Sequence, residues 1–218
     1  MILLIVLWSS FHGHSITNSQ AENKTGIKPL LELKGKSLHA LIPSDIQPLI
    51  LRNEIETFLK KLDETPPAWT QLEDADITEQ SERLFQFNRQ RNAKRSIQDT
   101  FEQPIAFLWT GILRQYLDEF KGFSLALGPE LINTSWGIVR FKPINLPPYL
   151  IAIPTLALRK NLLARQKQGE TIEVNMVCMG TLISDESLIY GFSHDDHHNG
   201  MILPVVSVQN LMYILKPS

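Results

Sequence analysis

The chain has 218 residues, of which 43% are hydrophobic and 20% charged, and its formal net charge is −2. That composition excludes a disordered chain, which cannot bury enough apolar surface to fold. The near-neutral balance excludes a global field that would draw nucleic acid or an anionic membrane, so any ligand must be selected locally.

Residues 1–8 are an apolar run, too short to span a bilayer, which needs about 20 residues. Ser19-Gln20-Ala21 follow, with small residues placed as at a signal-peptide cleavage site. This pattern predicts a signal peptide over 1–21 and a periplasmic or secreted mature chain with no membrane span. One element is missing: no Lys or Arg precedes the run. The alternative is a buried N-terminal strand. The single cysteine, Cys178, rules out an internal disulfide. It sits among apolar residues with nothing basic beside it to lower its pKa, so it reads as a small buried hydrophobe rather than a nucleophile.

Residues 22–100 read as a strand and two helices. A strand with a break at Gly35 is expected over 30–42. Ser44-Asp45-Ile46-Gln47 has the capping-box pattern, which predicts a helix from there to Leu62 with Leu49, Ile50, Ile55, Phe58, Leu59 and Leu62 on its apolar stripe. Pro66-Pro67 ends it. A second, more polar helix is expected over 70–98. Its first half is acidic and its second half carries Arg83, Arg89, Arg91, Lys94 and Arg95. A solvated helix face arranged as the helix dipole prefers explains this split. A basic face for phosphate or an acidic partner is the functional alternative, on Arg91, Lys94 and Arg95.

Residues 101–218 read as a β-rich domain. Ile105–Leu113 is almost wholly apolar and suits a strand buried on both faces. Asp118–Gly122 predicts a hairpin turn, with the return strand over 123–127. Residues 136–141 predict another strand, and Pro143, Pro147 and Pro148 an irregular connection. Residues 154–168 predict a helix, started by Pro154 and stopped by Gly169, with Leu156, Leu158, Leu162 and Leu163 inward. Strands resume over 171–183, 188–193 and 202–215.

The two strand groups overlay on each other. Gly111 matches Gly180, Leu113 matches Leu182, and Gly122-Phe123-Ser124 matches Gly191-Phe192-Ser193. The expected fold is therefore α+β: an N-terminal helical section, then a C-terminal small barrel or curled sheet of about six strands. It has a possible internal duplication, and one helix lies between the third and fourth strands. In each copy the glycine allows a bulge or bend that curls the sheet. The strand order, helix included, resembles the OB-fold in topology alone.

Chemistry is thinly signalled. His194, Asp195, Asp196, His197 and His198 fall together between two expected strands. Imidazoles and carboxylates at that density could bind a divalent metal, but the spacing matches no zinc motif, and Asn199-Gly200 marks an ordinary polar turn. No catalytic residue and no organic cofactor is indicated. Trp69, Trp109 and Trp136 are aromatic candidates for a groove. Trp109 and Trp136 fall in strands and suit the core, while Tyr116 and Tyr149 are the candidates for a ligand or partner surface. The expected function is a non-enzymatic binding or envelope-assembly module whose partner is a protein or another envelope component. Two alternatives stand beside it: a metal-dependent hydrolase using residues 194–198, and an OB-like binder of oligosaccharide or nucleic acid.

Overall fold

The computed structural model describes residues 25–73, 77–95, 102–183, 188–192 and 200–217. In it, the apolar run after Pro104 becomes the strand β3 (Ile105–Leu117). Alternation sends Ile105, Phe107 and Leu113 to one face and Ala106 and Leu108 to the other, and each face meets its own apolar core. That double burial is why the run lacks polar alternation.

Six strands close into a barrel. β3 forms the expected hairpin with β4 (Gly122–Pro129), and Lys121 takes a φ of 53° in the reversal. The other edge of β3 pairs antiparallel with β9 (Glu173–Leu182), and β9 pairs antiparallel with β11 (Gly200–Leu215). The ring is completed by β1 (Ile27–Glu32), which runs parallel to both of its neighbours. Leu30 faces Tyr213 of β11, and Ile27 faces Ile151 of β8 (Ile151–Ile153). β8 then pairs antiparallel with β4. Closure leaves the ring without a free edge.

The remaining strands lie outside the ring. β2 (Gln47–Pro48) pairs with β3. β6 (Gly137–Val139), β7 (Lys142–Ile144) and β10 (Leu188–Phe192) pair with β11, and β5 (Ile132–Thr134) pairs with β6. Four α-helices are described: α1 (Arg52–Asp63), α2 (Trp69–Glu73), α3 (Ile77–Arg95) and α4 (Leu156–Lys167). The fold is mixed α+β and mostly β.

The staves are not those the repeat suggests. Residues 136–141 and 188–192 lie outside the ring, and β1 and β8 occupy the expected places. The two expected units also pair differently. β3 and β4 face each other, whereas both edges of β9 are filled by β3 and β11, and β10 forms its hairpin with the start of β11. Gly122-Phe123 therefore opens β4, while Gly191-Phe192 closes β10. The bends differ too. The irregularity in β3 falls at Leu113–Tyr116, past Gly111, and that in β11 at Val208–Asn210, beside Gly180. A shared apolar rhythm is common to half-buried strands and does not choose their neighbours. The ring also departs from the five-stranded OB barrel through its sixth strand, β1.

The helices share the core of the β-strands. The expected start of α1 at Ser44–Gln47 is not used, because the Gln47 amide donates to the carbonyl of Pro104 and joins β2 to β3. α1 begins at Arg52. Glu54 caps it, accepting from the amides of Ile50 and Leu51 at 3.0 and 2.8 Å. Ile55, Phe58, Leu59 and Leu62 of α1 and Leu158 and Leu162 of α4 share one buried apolar cluster with the side chains of β3, β4, β9 and β11. Thr155 caps α4, and Gly169 beyond its end takes a φ of +80°. Leu156, expected inward, lies in the first turn and is exposed. On the outer face Leu38, Leu41, Ile42 and Ile46 cover the second core around Val177, Met179 and Ile214.

Candidate functional site

α1 ends at Asp63, and α3 brings two arginines to it. Arg95 Nε donates to Oδ1 at 2.7 Å, and its Nη2 binds Oδ2. Arg91 Nη1 lies 3.0 Å from the same Oδ2, and the Tyr190 hydroxyl of β10 donates to it as well. The Asp63 side chain is 3% exposed, Arg95 0% and Arg91 14%. Arg95 also donates to Asn92 Oδ1 and to the carbonyl of Leu188, and Arg91 donates to the carbonyl of Thr65. Both guanidiniums lie over the Tyr190 ring, at 5.2 and 5.3 Å, and Arg91 also lies over Phe87.

Burial alone would raise the Asp63 pKa. The hydrogen bonds from Arg95 and Tyr190, the Arg95 charge and the Arg91 contact outweigh it and hold the carboxyl below its ordinary value. Burial and the neighbouring Asp63 push the Tyr190 phenol far up. A saturated carboxylate with low proton affinity is a poor base, and a phenol held this firmly is a poor acid. The cluster is built to hold α1, α3 and β10 together.

Two further contacts frame it. Asn88 Nδ2 donates to the carbonyl of Tyr190 at 2.9 Å, and the Tyr190 amide donates to Asn88 Oδ1 at 2.8 Å. Trp69 of α2 donates to the carbonyl of Trp136 at 2.6 Å and packs edge-on to Phe192. Its ring lies against Gly200, where an added Cβ would fall within it. Trp69 therefore pins the start of β11 rather than lining an open groove.

The proposed basic face is divided. Arg95 is inside and Arg91 is nearly so, and both serve Asp63, while Lys94 is exposed. The signal for this lies in the sequence: Leu84, Asn88, Arg91 and Arg95 recur at helical spacing and share one face. Tyr149 is 74% exposed, as expected for a surface candidate. Tyr116 is half-buried, edge-on to Phe123 at 5.1 Å, with Arg159 over its ring. Trp109 faces the barrel core and donates to the carbonyl of Phe141 at 3.0 Å. Trp136 is buried, and so is Cys178, whose thiol pKa burial pushes far up. His194, Asp195, Asp196, His197 and His198 lie outside the described residues. Among the described residues no group of His, Cys, Asp and Glu could hold a metal. No described helix is long and apolar enough to cross a membrane.

A depression of about 380 Å³ lies at β3, β4 and β9. Thr110, Ile112 and Arg114 of β3 and Ala126 and Gly128 of β4 line it, with Glu173 and Lys216 beside them. Lys216 Nζ is 3.3 Å from Glu173 Oε2. A Cβ at Gly128 would meet nothing within 4 Å, so the floor there is open. Sequence reasoning missed this surface because its residues come from distant segments and carry no motif.

Comparison with known proteins returns no matching family, no similar curated protein and no similar solved structure.

Proposed function

We propose that this chain is an exported, non-enzymatic binding or envelope-assembly module, and that its ligand surface is the depression at β3, β4 and β9. Export rests on the apolar run over 1–8 and the small residues Ser19 and Ala21. The observation that carries the binding reading is the makeup of that depression. Small side chains at Ala126 and Gly128 leave room on its floor, and two cations, Arg114 and Lys216, stand against one carboxylate, Glu173. A site with that surplus favours an acidic segment of a partner protein. A binding role also agrees with the saturated state of Asp63 and the burial of Cys178, neither of which is available for chemistry.

An acidic octapeptide titrated against the isotope-labelled chain tests the reading. The expected result is movement of the Thr110, Gly111 and Gly128 amide signals, and its loss in the double variant Arg114→Glu, Lys216→Glu. An absence of movement, or movement confined to another surface, removes the depression as the site. N-terminal sequencing of the mature protein tests export, and an intact Met1 overturns that part.

A further inference from the structure

We propose that α3 is a displaceable cover on the outer edge of β10, and that the uncovered edge takes an extended, arginine-bearing segment of a partner as an added strand. Among the described residues β10 is the longest strand with a strand neighbour on one side only. It has five residues, whereas β2, β5 and β7 have two or three. Its inner edge pairs with β11, and Pro204, which has no N–H, stands opposite Leu188. The main-chain groups of Leu188 and Tyr190 therefore point outward, toward α3.

α3 meets them as a substitute strand. The Asn88 side-chain amide exchanges two hydrogen bonds with the Tyr190 main chain, as one residue of an antiparallel pair does with its partner. Arg95 serves the next outward carbonyl, that of Leu188, at 3.2 Å. Among the described side chains the apolar support for this grip is narrow: Phe87 packs against the core and edge-on to the Tyr190 ring at 5.2 Å, while Leu84 is half-buried and Phe85 is 59% exposed. A real strand would satisfy the same edge with its own main chain, which is how extended segments add to sheets.

The chemistry of the occupant follows from what α3 uncovers. Without α3, Asp63 loses both guanidiniums and the Tyr190 ring loses the cations stacked on it. An arriving strand restores both contacts only if it carries a guanidinium, whose planar fork fits a carboxylate and stacks on an aromatic face. The inference is independent of the depression, which shares none of these residues.

The test uses the full chain and a labelled nonapeptide of alternating threonine and valine with one central arginine, beside its glutamine counterpart. Asn88→Ala weakens the cover. It is expected to speed exchange of the Tyr190 amide and to bind the arginine peptide about tenfold more tightly than the native chain, the effect of losing roughly one hydrogen-bonded latch. The peptide should then protect that amide again. Asp63→Asn should erase the preference for arginine over glutamine. Asn88→Gln keeps both the donor and the acceptor but displaces them by one methylene, so an intermediate gain is expected, and this variant carries the test if Asn88→Ala does not fold. Tyr190 exchange unchanged in the Asn88 variants overturns the proposal, as does failure of every variant to bind either peptide. Dimerisation of Asn88→Ala without peptide uptake assigns the edge to a second copy and also overturns it.

Discussion

Arg95 grips the carboxylate of Asp63 with both Nε and Nη2, so the last residue of α3 is fastened to the last residue of α1. Neither group has water to fall back on. Removing one partner of such a pair leaves the other buried and uncompensated, which is far more damaging than the pair's net worth. Arg95→Ala is expected to lose about 3–5 kcal/mol of stability. Arg91→Ala removes a partner at the edge of the cluster and leaves Arg95 in place, so about 1 kcal/mol is expected. Urea denaturation monitored by circular dichroism reads both. Equal small losses would show that Asp63 does not anchor the helices.

The same cluster predicts a response to acid. The folded-state pKa of Asp63 is lowered from its ordinary value near 3.8. Its contribution is therefore fully present above that value and is lost as pH falls through the lower folded value, because the unfolded chain takes up the proton first. Glu54 and Glu56 are lowered as well and act in the same direction: at Glu54 burial is outweighed by the Leu51 and Ile50 amides and His39, and at Glu56 the Ser135 amide and Arg52 hold the charge. The diagnostic is thus the difference between variants. Native stability should fall more steeply below pH 4 than that of Asp63→Asn, with the two curves parallel near neutrality, as measured by denaturant midpoint against pH.

The parts of the fold readable in the sequence are those decided by neighbours in the chain. The apolar run of β3, its hairpin to β4 and the capped helix α4 all follow from local periodicity and turn chemistry. The parts not readable depend on distant partners. Nothing near β1 says that it lies parallel to β8 and β11. The Ser44–Gln47 motif fails because the carbonyl of Pro104 takes the Gln47 amide. Arg91 and Arg95 look like a solvated face until Asp63, from another helix, supplies their partner. The depression is hidden for the same reason, since Lys216 and Glu173 reach Arg114 and Gly128 only through the pairing of β9 with β3 and with the end of β11.

Two glycines separate close packing from open surface. The ring of Trp69 occupies the space where a Gly200 side chain would stand. Gly200→Ala must displace that ring from Phe192 and from the carbonyl of Trp136, and overpacking of this kind loses about 1–3 kcal/mol. Gly128→Ala meets no neighbour and is expected to fold with native stability within about 0.5 kcal/mol. Thermal denaturation together with near-ultraviolet circular dichroism distinguishes them, because only the first should change the tryptophan signal. Equal behaviour of the two would contradict the placement of Trp69.

Cys178 offers a probe of the barrel as a whole. It lies in β9 between Phe107 of β3 and Leu211 of β11, fully buried, and burial raises its thiol pKa far above the usual range. Reaction needs the thiolate, and the thiolate is available only when the strands part. No local fraying at the end of one strand exposes it, because its pairing partners lie within the ladders on both sides. A thiol reagent should therefore modify the folded chain at least about a thousandfold more slowly than the unfolded chain, the suppression expected when reaction waits on global opening. The modification rate should rise in Arg95→Ala in step with its lost stability, because global opening becomes more frequent. Prompt modification of the native chain would mean that β9 opens without the rest of the barrel, contrary to its central place in the ring.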